Sequence, residues 1–126
     1  MAKSKYPLLK VTVDRRRWLR GEDSVASSLF DDVNKKMCCL GFATRACGCS
    51  IDKIRNQASP ACVVFDYTNT KERLARFLTA KNESENSGTT GRMMEINDAT
   101  DISDAEREDL LKRLGKKLNI QFTFVN

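Results

Sequence analysis

The sequence predicts an α+β fold: a small, mostly antiparallel sheet that includes the N- and C-terminal strands, with helices packed on it. Three observations predict it. Residues near both ends alternate apolar and polar, the period-two pattern of a half-buried strand. Between them lie an apolar run closed by Gly48 and a capping box at Ser103, both helical signals. A strand wetted on one face is the habit of antiparallel sheets. The 126 residues fit one domain, 1–126.

Leu9, Val11 and Val13 share one face of the first strand, and Leu8, Lys10 and Thr12 the other; Pro7 precedes it, where its missing N–H costs least. Residues 21–36 read as a loop with a helical turn at Val25–Phe30. A helix over about 37–47 follows. It is apolar almost all round, as a central buried helix is. Gly41 within it points to close approach by another element, and Gly48 to its C-terminal end. Ser50 caps a short helix at Ile51–Asn56. Ala61–Phe65 is rich in strand formers, and Leu74, Phe77 and Leu78 place a helix at Lys71–Ala80. Residues 81–91 read as an exposed loop. Gly91–Asp98 reads as a short helix, with a strand as the alternative.

Ser103 and Glu106 form the capping box of a helix over about 104–117, with Leu110, Leu111, Leu114 and Leu118 on one face. Lys112, Arg113, Lys116 and Lys117 load its last turns with positive charge, favourable against the helix dipole. Ile120, Phe122 and Phe124 then share a face of the terminal strand.

The chain has no histidine. That excludes His-based acid–base catalysis, Ser-His and Cys-His nucleophiles, and His-containing metal sites. It has five cysteines, Cys38, Cys39, Cys47, Cys49 and Cys62. An odd number with an adjacent pair suits a reducing compartment. Zinc knuckles use Cys pairs two to four residues apart, which neither Cys38-Cys39 nor Cys47-x-Cys49 supplies. The carboxylate pairs Glu22-Asp23, Asp31-Asp32 and Asp98…Asp101 match no calcium loop or phosphate-binding motif. No cofactor is expected. Neither an apolar run of membrane-spanning length nor a secretory h-region is present, so the expectation is a cytosolic protein without a membrane partner.

The net charge of +5 is unevenly placed. Residues 1–20 hold seven Lys/Arg against one Asp, a balance of +6, so the remainder is close to neutral. The candidate binding site is therefore Arg15, Arg16, Arg17, Trp18 and Arg20. Arginine forks match phosphate bidentately, and tryptophan stacks on bases. The competing reading makes Trp18 and Leu19 core anchors and leaves the arginines to solvent.

Asp14–Gly21, Lys36–Phe42 with Ala46-Cys47-Gly48, Glu95–Asp98, Ser103–Glu108 and Phe122–Val125 together resemble a family of small uncharacterised bacteriophage and prophage proteins. The resemblance spans nearly the whole chain, and its most specific run is Met37–Phe42. It implies a non-enzymatic phage accessory protein in the cytoplasm of a bacterial host, with no catalytic residue carried over. Its expected role is a counter-defence inhibitor, of the anti-CRISPR or nucleotide-signal-sequestering kind. Expected partners are a host defence protein complex or a nucleotide or nucleic-acid phosphate ligand. The alternative is a nucleic-acid-binding accessory protein of phage replication or regulation. Oligomeric state is left open by the sequence.

Overall fold

The computed structural model describes residues 8–21, 29–57 and 88–126. Strand β1 (Leu9–Asp14) runs into a 3-10 turn at Arg15–Arg17. Helices α1 (Cys39–Ala46), α2 (Ile51–Ile54), α3 (Gly88–Asp98) and α4 (Asp104–Lys117) follow, and strand β2 (Ile120–Val125) ends the chain. The strand expected at Ala61–Phe65 and the helix at Lys71–Ala80 lie outside the described residues. So does the turn at Val25–Phe30, apart from Leu29 and Phe30, which are buried.

The sheet corrects the sequence expectation. β1 and β2 pair parallel, in the register Leu9↔Ile120 through Asp14↔Val125, and among the described residues they make a two-stranded sheet. Their order explains it. The four described helices lie between the two strands in the chain, the kind of connection that returns it in the same direction. Period-two alternation is the same for either direction. The antiparallel expectation rested on the wet outer face, and this parallel pair has one too: Lys10, Thr12, Gln121 and Thr123 are exposed. The inner face is as expected, with Val11, Val13, Ile120 and Phe122 buried.

α1 packs on β1, α4 on β2, and α3 lies against both helices. α1 starts at Cys39, two residues later than the expected 37, because Met37 is used by a backbone bridge to Trp18. Cys39 through Thr44 are all buried. A Cβ at Gly41 would overlap the Leu29 carbonyl oxygen and come within 2.8 Å of its carbon, so the close approach is to the Leu29 backbone. Gly48 ends the helix at φ +100°. Gly91–Asp98 belongs to a helix, which begins at Gly88. Ser103 caps α4, its Oγ accepting from the Glu106 N–H at 3.2 Å. Leu118 and Asn119, the latter at φ +56°, turn α4 into β2. No described helix is long and apolar enough to cross a membrane.

Candidate functional site

The arginine-rich segment is a braced turn. Asp14 starts it, its Oδ1 accepting from the Arg16 N–H at 3.0 Å. That hydrogen bond, first among several contacts, holds the Asp14 carboxyl below its usual range. From behind, Met37 donates its N–H to the Arg17 carbonyl at 2.9 Å and accepts from the Leu19 N–H at 2.8 Å. The turn is thereby tied to the residues just before α1.

Trp18 sits in the core, with 2% of its surface exposed. Its ring lies 4.9 Å from that of Phe124, and Arg20 covers it at 4.5 Å. Its Nε1–H donates to Asn97 Oδ1 at 2.8 Å. The ring has no open face for a base, so the anchor reading describes it.

Asn97, at the end of α3, organises this region. Its Oδ1 also accepts from the Cys39 N–H at 3.0 Å, and its Nδ2 donates to the Leu19 carbonyl at 2.9 Å. Its own carbonyl accepts from the Gly21 N–H at 2.9 Å. One buried amide thus joins the arginine segment, α1 and α3. Arg107, 3% exposed, performs a similar task for the end of α3. Its Nη1 donates to the carbonyl of Ile96 at 2.8 Å, in the last turn of α3, where carbonyls lack intrahelical partners, and to that of Ala99 at 2.7 Å, just beyond the helix.

Two of the candidate arginines are spoken for within the chain. Arg15 grips Glu108 of α4 bidentately, Nε to Oε2 at 2.7 Å and Nη2 to Oε1 at 2.8 Å. Arg20 donates to Asp104 at 3.0 Å and to the carbonyls of Arg15 and Trp18. The Arg20 hydrogen bond is the main reason the Asp104 carboxyl lies below its usual range. The acidic first half of α4 therefore takes up half of the cationic cluster. Arg16 and Arg17 remain exposed. Among the described residues the Arg16 side chain reaches only Asp14, at 3.5 Å, and the Arg17 side chain has no partner.

The structure separates the five predicted residues into three roles: Trp18 anchors, Arg15 and Arg20 brace, and Arg16 and Arg17 project. Sequence reasoning missed Asn97 and Arg107. Each carried a signal, a polar residue on an apolar helical stripe: Asn97 follows Met93 by four positions, and Arg107 precedes Leu111 by four.

Cys38, Cys39, Cys47 and Cys49 are buried and form no disulfide. Among the described residues no group of Cys, Asp or Glu is arranged to hold a metal ion. Burial pushes the Cys38 and Cys47 thiols up to about 12, and Cys39 well above its ordinary value. These thiols stay protonated near neutrality and are poor nucleophiles. Their folded-state values are raised, so the stability tied to them is complete below pH 9.0 and is lost as pH climbs toward about 12. We expect these four cysteines to resist a thiol-reactive disulfide reagent at pH 8 and to react rapidly in denaturant. Fast reaction of Cys38 or Cys47 in the native state, located by peptide mapping, would contradict that.

No protein-family model, curated protein or solved structure matches the chain.

Proposed function

We propose that this chain is a phage accessory protein that acts by binding, without turnover, in the cytoplasm of a bacterial host. The role we assign is counter-defence: it occupies a host defence complex, or a nucleotide signal that such a complex uses. The observation that carries this reading is the pair Arg16 and Arg17, exposed on a turn that is fixed from behind by Met37 and Trp18. A rigid cationic projection meets an acidic or phosphate-bearing partner without a large ordering cost. The resemblance to phage proteins supports the biological setting. The charge balance of residues 1–20 favours a second reading, a nucleic-acid-binding accessory role.

A plaque assay on hosts carrying different defence systems tests the first reading. Expression of the protein should restore plaquing on at least one of them. The double variant Arg16→Glu/Arg17→Glu should lose that restoration by tenfold or more with little change in melting temperature. Failure to restore plaquing on any host of the panel would sink the counter-defence role. Restoration that survives the charge reversal would sink the assignment to these two arginines.

A further inference from the structure

The i, i+4 positions of α4 are Asp104, Glu108, Lys112 and Lys116. The first two receive Arg20 and Arg15. The last two find no anionic partner among the described residues, and they border an open groove of about 610 Å³ between α4 and the start of β2. Three cations, Lys112, Arg113 and Lys116, line it against one carboxylate, Asp109. Asp109 is engaged by Arg113 at 3.0 Å, and neither lysine has an ion-pair partner among the described residues, although the Lys112 ammonium lies 5.8 Å from the centre of the Phe124 ring. Gln121 adds an amide, and Leu8, 54% exposed, adds apolar surface.

The helix dipole accounts for Lys116 in the last turn, since its effect is confined to a helix's end turns. It does not account for Lys112, a turn further in. Like charges at i, i+4 repel, so the Lys112–Lys116 spacing offsets the favourable Glu108–Lys112 spacing of the same row. Residues four apart have Cβ atoms about 5–6 Å from each other, close enough for both ammonium groups to reach one phosphate. The volume falls within the roughly 300–1,000 Å³ of small-ligand sites.

We propose that this groove binds a nucleotide through its phosphate: Lys112 and Lys116 hold the phosphate, and Gln121 and Leu8 receive the base. The ligand is either a free nucleotide or a residue of a single strand. The site is separate from the Arg16–Arg17 projection and stands whether or not that projection contacts a defence protein.

Titration of the full chain at low salt, with ATP in one arm and a labelled oligothymidylate in the other, tests it by amide chemical shifts and fluorescence polarisation. At least one probe should bind and shift the amides of Lys112, Lys116 and Gln121. Lys112→Glu/Lys116→Glu should weaken binding by tenfold or more, while Lys112→Arg/Lys116→Arg retains it. The log-log salt slope for the oligonucleotide should fall by about 0.7 for the one lost phosphate contact to a single strand. Preference for ATP identifies a free-nucleotide site, and preference for the oligonucleotide a strand site. The proposal is overturned if neither probe binds. It is equally overturned if the Lys→Glu variant binds like the parent, or if only Arg16→Glu/Arg17→Glu weakens binding.

Discussion

Asn97→Ala is expected to destabilise the protein by about 3–5 kcal/mol, read as the shift in urea-unfolding free energy. The substitution orphans two buried groups at once, Trp18 Nε1–H and the Cys39 N–H, and takes a donor from the Leu19 carbonyl. Each unsatisfied buried group costs about 1–3 kcal/mol, and a shared network keeps the total below their sum. A domain of ordinary stability has about 5–15 kcal/mol in all, so much of the population would be unfolded at moderate temperature. Asn97→Asp separates the contributions. An aspartate keeps the acceptor for Trp18 and Cys39, but it loses the donor to Leu19 and buries a charge beside Asp98. Burial would raise its pKa above the unfolded value. The variant should then be relatively more stable in acid, where a protonated carboxyl can donate to the Leu19 carbonyl, and should lose that advantage as pH rises through the raised value. A variant as stable as the parent at neutral pH would mean that the amide network contributes little.

Asn97 also marks where the sequence stopped being readable. Local features were readable because their causes are local. Alternation gave β1 and β2 their inner faces, Ser103 with Glu106 gave the start of α4, and Gly48 gave the end of α1. Strand direction depends on the path of the intervening chain, on which alternation is silent. The arginine segment was readable as charge but not as partnership. Arg15 and Arg20 find Glu108 and Asp104 more than eighty residues away, brought near only because α4 packs on β2. The lysines of α4 were assigned to the dipole, an explanation that needs only helix position. The groove beside them exists only once β2 and Leu8 are in place. Asn97 and Arg107 looked like ordinary polar residues within amphipathic helices. Their weight comes from facing inward toward elements that the sequence does not show to be neighbours.

Trp18→Ala is expected to cost about 3–5 kcal/mol, the range for removing a large aromatic side chain from a core. It would empty the space against Phe124, uncover the face that Arg20 occupies and leave Asn97 Oδ1 with the Cys39 N–H alone. Trp18→Phe is the informative companion. It keeps most of the ring packing and removes the Nε1 donor, while Asn97 Oδ1 retains one partner. Its cost should be nearer the roughly 1 kcal/mol of a typical hydrogen bond. The two variants also divide anchoring from recognition. If the ring only fixes the turn, Trp18→Phe preserves plaque restoration and the presentation of Arg16 and Arg17, because the backbone bonds of Met37 to Arg17 and Leu19 do not involve the ring. If the ring stacked on a ligand, a Phe would change affinity strongly while folding survived. Trp18 is the chain's single tryptophan, so its emission isolates this residue. A ring at 2% exposure should emit at short wavelength and resist iodide quenching. Both properties should persist on binding any partner at Arg16 and Arg17. Ready quenching in the free protein would place the ring at the surface and return it to the recognition site.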